Sequence, residues 1–113
     1  VWYYLYNWGG MATGWLWWNG DWYYLSEDGS MLANCWLLWN GNWYFFNRGG
    51  AMLADDWILW NDSWYYLSGS GVMITNQWVL WKGNWYYLTN SGKMAADTVI
   101  NGYTVNANGI WIA

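Results

Sequence analysis

GWLWWNGDWYYLSEDGSMLAN, residues 14–34, is an aromatic run broken by Asn19-Gly20 and closed by Gly29 and Met31. The same pattern returns without gaps in CWLLWNGNWYFFNRGGAMLAD (35–55), DWILWNDSWYYLSGSGVMITN (56–76) and QWVLWKGNWYYLTNSGKMAAD (77–97). A partial unit, VWYYLYNWGGMAT (1–13), precedes them and keeps Trp2, Gly9 and Met11. A divergent tail, TVINGYTVNANGIWIA (98–113), follows. A fixed period of this kind is the signature of a repeat architecture. Each full unit opens on a Trp (Trp15, Trp36, Trp57, Trp78) and carries a second three residues on (Trp18, Trp39, Trp60, Trp81). A third stands seven after the first (Trp22, Trp43, Trp64, Trp85). A Met closes the unit (Met31, Met52, Met73, Met94), with a Gly two residues before it.

Short aromatic and β-branched runs on either side of Asn-Gly read as a β-hairpin. A two-residue type I′ turn needs positive φ at both central residues, which Asn19-Gly20, Asn40-Gly41 and Lys82-Gly83 supply through Gly. Asn61-Asp62 is the variant, and both of its residue types tolerate that region. The Gly before each Met marks a second tight turn. With Asn19-Gly20 as the loop, Trp15 pairs with Tyr24, Leu16 with Tyr23 and Trp17 with Trp22. Strand side chains alternate. Trp15, Trp22 and Tyr24 therefore share one face, and Leu16, Trp18, Tyr23 and Leu25 share the other. Both faces are apolar, and a lone two-stranded hairpin is marginal in water. The units are expected to stack as an all-β solenoid of hairpins, forming one repeat module over 1–113 with 98–113 as its cap. The start in mid-repeat suggests the C-terminal part of a longer protein.

Composition narrows the function. Of 113 residues, 16 are Trp and 11 Tyr, against 2 Phe. A plain core would use Leu, Ile, Val and Phe, whereas Trp and Tyr combine an apolar body with a polar tip and suit binding surfaces. The formal net charge is −4, with 3 Lys and Arg in all. Single-strand nucleic-acid binders share the aromatic platforms but add a basic groove, which this chain lacks. No long unbroken apolar run could span a membrane as a helix. Cys35 stands alone, so no internal disulfide forms, and with no His a metal site is poorly served. Glu27-Asp28 and Asp55-Asp56 are the carboxylate pairs. They do not recur with the repeat, and a glycosidase needs two carboxylates flanking one bond. No catalytic residue, metal or cofactor is assigned.

Stacking brings two Trp of one unit against a Tyr from the opposite face of the next. The first such set is Trp15, Trp22 and Tyr44. Trp36, Trp43 and Tyr65 follow, then Trp57, Trp64 and Tyr86, and finally Trp78, Trp85 and Tyr103 in the tail. Ring faces converging on one gap hold a quaternary ammonium by cation–π attraction, about 0.5–2 kcal/mol per ring. Repetition of such sites on a rigid array adds avidity. Trp39, Trp60 and Trp81 lie with the receiving Tyr and are candidates for a fourth wall.

The spaced positions Gly-Trp, Gly-x-Trp-Tyr-Tyr-Leu and Gly-x-Met, as in Gly14-Trp15, Trp22 to Leu25 and Gly29 to Met31, resemble the choline-binding and glucan-binding cell-wall repeats. Those repeats occur in Gram-positive autolysins, phage lysins and surface proteins. The resemblance covers 1–97, with 98–113 similar to a terminal cap. It implies a left-handed hairpin solenoid and ligands held between consecutive hairpins by the Trp and Tyr sets above. It also implies that Met31, Met52 and Met73 floor or flank the sites. The implied role is extracellular and non-catalytic: a module that tethers an attached catalytic or effector domain to the choline of teichoic acids. The units here are one residue longer than usual in that family, the added residue falling between Met and the next Trp. The Trp18 series stands where the family is usually polar. Two alternatives stay open, a glucan- or wall-polysaccharide-binding module and a ligand-free structural or engineered array. Homodimerisation through Ile110-Trp111-Ile112 is a further expectation, because an end face of stacked hairpins needs cover.

Overall fold

The computed structural model describes residues 13–113. Trp2, Gly9 and Met11 of the partial unit lie outside the described residues. The chain divides into two compact units, Val1–Ala54 and Asp55–Ala113.

The first unit holds two hairpins among its described residues. They are β1 (Gly14–Trp18) with β2 (Asp21–Leu25), and β3 (Cys35–Trp39) with β4 (Asn42–Phe46). The second unit holds three. These are β5 (Asp56–Trp60) with β6 (Ser63–Leu67), β7 (Gln77–Trp81) with β8 (Asn84–Leu88), and β9 (Thr98–Ile100) with β10 (Tyr103–Val105). Each hairpin is a separate antiparallel two-stranded sheet. No described residue is helical.

The turns fix the register. Asn19 and Gly20 take φ of 53° and 89°, and Asn61 and Asp62 take 47° and 66°. Two consecutive left-handed residues make the type I′ turn whose twist matches the strands. Trp15 then pairs with Tyr24, Leu16 with Tyr23, and Trp17 with Trp22, as the alternation requires. The same register runs through the other long hairpins. The last strand residue of each hairpin reaches a Met in an isolated bridge: Leu25 to Met31, Phe46 to Met52, Leu67 to Met73 and Leu88 to Met94.

The core is built from those strand ends. Leu25 and Phe46 in the first unit, and Leu67, Leu88 and Val105 in the second, are at most 2% exposed. Hairpins within a unit are joined through backbone, not through a shared sheet. Met52 N–H donates to the Trp22 carbonyl at 2.8 Å, and Met94 N–H to the Trp64 carbonyl at 2.8 Å. A second link comes from a hinge that the sequence pattern alone did not single out. Asn34, Asp55, Asn76 and Asp97, each third after a Met, take φ near 52°. Asn and Asp are the non-glycine residues that best tolerate this region. From there Asn34 N–H reaches the Asn47 carbonyl of the next hairpin at 2.9 Å, and Asp97 N–H reaches Asn106 at 2.9 Å. The next strand begins directly after this residue, at Cys35, Asp56 and Gln77.

The Gly before each Met does more than turn. Gly50 (φ 87°) and Gly92 (φ 89°) face the thioethers of Met31 and Met73 from the preceding hairpin of the same unit. A Cβ at either would sit 2.6 Å from that sulfur. Gly109 meets Met94 in the same way. The recurring Gly and Met are thus one packing contact.

Candidate functional site

In the first unit the opening Trp of β1 is the hub. Trp15 meets Trp22 at 6.2 Å between ring centroids, Tyr44 at 5.1 Å and Trp39 at 5.6 Å, all edge-to-face. Three of these rings, Trp15, Trp22 and Tyr44, are the first predicted set, and Trp39 is the expected fourth wall. Tyr44 is buried, while Trp22 stays exposed.

The second unit repeats the arrangement. Trp57 meets Trp81 at 6.0 Å and Tyr86 at 5.2 Å. A cavity of about 480 Å³ opens here, lined by Trp57, Trp64, Trp81, Tyr86, Met94, Asp56 and Asn108. The set Trp57, Trp64 and Tyr86 is therefore brought together, with Trp81 added. Trp78 meets Tyr103 at 6.0 Å, and Trp78, Trp85, Tyr103 and Trp111 line a second cavity of about 390 Å³. Of the remaining predicted set, Trp36 and Trp43 lie in the first unit, and Tyr65 and Trp60 lie in the second. Across the four long hairpins, Trp22, Trp43, Trp64 and Trp85 remain 40–42% exposed. Large rings held on strands and left open to solvent are what a ligand surface requires.

The terminal cavity differs for a reason visible in the register. Val105 bridges Trp111 as Leu88 bridges Met94, and Tyr103 pairs with Ile100 as Tyr86 pairs with Val79. The cap hairpin is the long hairpin with the two residue pairs next to its turn removed. Tyr103 keeps the receiving position, and the wall that Trp81 provides elsewhere is gone. Trp111 stands in the Met position, and its N–H donates to the Trp85 carbonyl at 2.9 Å. Trp111, Met94, Asp56 and Asn108 were not picked out as site residues from sequence. The spacing Gly109-x-Trp111, parallel to Gly92-x-Met94, was the available signal for the first. The thioethers of Met31 and Met73 pack on Gly50 and Gly92, and the Met lining the Trp57 cavity is Met94.

Polar groups are few. The indole N–H of Trp15 and that of Trp57 are buried with no hydrogen-bond acceptor. Both indoles stand edge-on to neighbouring rings. A buried donor without an acceptor costs about 1–3 kcal/mol. Asp28 is held by its own turn: the Ser26 and Ser30 hydroxyls and the Ser30 N–H all donate to it. Those donors lower its pKa to about 2. A carboxylate stabilised as the anion in an exposed turn is a poor general acid. Among the described residues no group of His, Cys, Asp and Glu could hold a metal ion.

Three choline-binding repeat family models match the chain, over residues 13–31 (a cell-wall-binding repeat), 38–78 and 80–111. The chain belongs to the choline-binding repeat family. Its match to CbpJ of Streptococcus pneumoniae TIGR4 has 35% identity over 98% of this chain and 45% of that one, with a TM-score of 0.63. Choline binding protein F of the same species gives 36%, 99%, 44% and 0.58. The pneumococcal cell-wall endolysin from phage Cp-1, solved with choline, gives 33%, 89%, 31% and 0.72. The chain thus spans less than half the length of these relatives. No protein with a curated description matches it by sequence. Among its described residues the chain is all-β, a series of two-stranded hairpins, and the repeats of this family serve binding to the cell wall.

Proposed function

We propose that this chain grips the choline groups of wall teichoic acids in aromatic cages between consecutive hairpins. The observation that carries the reading is the pair of cavities in the second unit, walled by Trp57, Trp64, Trp81 and Tyr86, and by Trp78, Trp85, Tyr103 and Trp111. A trimethylammonium group has no N–H to satisfy. Ring faces hold it by their quadrupoles at little desolvation cost, about 0.5–2 kcal/mol per ring. Three or four rings per site correspond to roughly millimolar to micromolar binding once association costs are subtracted. Trp15, Trp22 and Tyr44 form the matching cage in the first unit. Sites in series on one chain raise avidity for a polymer that carries many cholines. The module acts outside the cell, at the wall, and holds an attached catalytic or effector domain there without itself catalysing.

Affinity chromatography tests this. The protein is expected to stay on a quaternary-amine resin in high salt and to leave with free choline. Elution by salt alone would reduce the interaction to charge, and retention on a dextran column instead would make a saccharide the ligand.

A further inference from the structure

The cavity at Trp57 differs from the terminal one in a way that bears on which cations each admits. Its wall includes Asp56, whereas Trp78, Trp85, Tyr103 and Trp111 line the other. Asp56 opens the first strand of its hairpin, and the corresponding positions hold Gly14, Cys35 and Gln77. Its Oδ1 accepts the backbone N–H of Trp57 at 2.8 Å, which ties the carboxylate to the residue that forms the cavity's hub. The neighbouring Asp55 lies instead beside Gly69. The amide-bearing Asn108 also lines this cavity.

An ammonium that keeps N–H groups is compact and strongly hydrated. Ring faces alone cannot replace its lost hydrogen bonds, so an all-aromatic cage favours the fully alkylated cation. A carboxylate supplies both an opposite charge and a strong acceptor for a cationic donor.

We propose that Asp56 is a specificity-determining residue: it makes the Trp57–Trp64–Trp81–Tyr86 cavity accept protonated amines as well as quaternary ammonium, while the terminal cavity stays selective for the quaternary form. This rests on the proposed function, since both cavities are read as cation cages.

The test follows the indole N–H resonances of Trp64 and Trp85 by NMR, one from each cavity. The full chain is titrated with tetramethylammonium and with methylammonium at constant ionic strength. At Trp64 the two cations are expected to bind within a few-fold of each other. At Trp85 tetramethylammonium should win by about tenfold or more. Asp56→Asn keeps the side-chain oxygen that accepts the Trp57 N–H. It should weaken methylammonium at Trp64 by about five- to tenfold, tetramethylammonium by about twofold, and neither at Trp85. In the unaltered chain, added salt should weaken methylammonium at Trp64 more than tetramethylammonium, which serves if the variant fails to fold. Equal preference at the two cavities, or equal losses for both cations in the variant, would overturn the role of Asp56 and leave the choline cages standing. Silence of both resonances to both cations would remove the cages and this role together.

Discussion

Gly50 carries two demands at once. Its φ of 87° lies where an L side chain is strained, and a Cβ there would press on the Met31 sulfur at 2.6 Å. Gly50→Ala is expected to destabilise the protein by about 2–4 kcal/mol, the sum of a left-handed penalty and overpacking. Adding Met31→Ala should relieve only the overpacking part. Urea unfolding of the single and double variants measures both. A Gly50→Ala midpoint equal to that of the parent would refute the contact. Sequence repetition flagged Gly50 and Met31 separately, as a turn and as a possible floor to the sites. Their contact was not legible, because it joins loops of two hairpins and no local pattern encodes it. Asn34 and Asp55 were missed for a related reason. Their left-handed φ is imposed by the step to the next hairpin, which intra-hairpin alternation does not report.

At the scale of the hairpin, almost everything was legible. An Asn-Gly loop sets the pairing, and pairing with alternation sets the faces, so Trp15, Trp22 and Tyr24 come out together. The exception is the cap. Its turn, Asn101-Gly102, is in plain view, but the loss of two residue pairs shifts every position counted from it. Only the bridge from Val105 to Trp111 reveals that Trp111 takes the Met position. The β5–β6 turn offers a test at this scale. Asp62 holds φ of 66° where the other turns have Gly. Asp62→Gly is therefore expected to stabilise the chain by up to about 1 kcal/mol, seen as a later unfolding midpoint. Destabilisation would mean that Asp62 contributes an interaction outweighing its backbone strain.

Across the described residues of the molecule, the large apolar side chains divide into buried ones that hold the hairpins together and exposed ones that remain available. Leu67 is fully buried and Trp64, three residues earlier, is 42% exposed. Leu67→Ala should cost about 2–5 kcal/mol of stability. Trp64→Ala should cost about 1 kcal/mol or less and still remove binding at its cavity. A Trp64→Ala variant that unfolds as readily as Leu67→Ala would make the exposed Trp series structural. The predicted sets could be read from spacing because they lie at fixed places in the repeat. Asp56 and Asn108 could not, since each is peculiar to one segment and neither belongs to the repeating pattern.

The quaternary ammonium of choline is the ligand proposed for the Trp and Tyr cages. Intrinsic Trp fluorescence and near-UV circular dichroism during a choline titration test it most directly, with sodium chloride and glucose as controls. A saturable change at roughly millimolar choline or below, produced by neither control, is expected. Spectra unchanged by choline, or changed equally by sodium chloride, would contradict it.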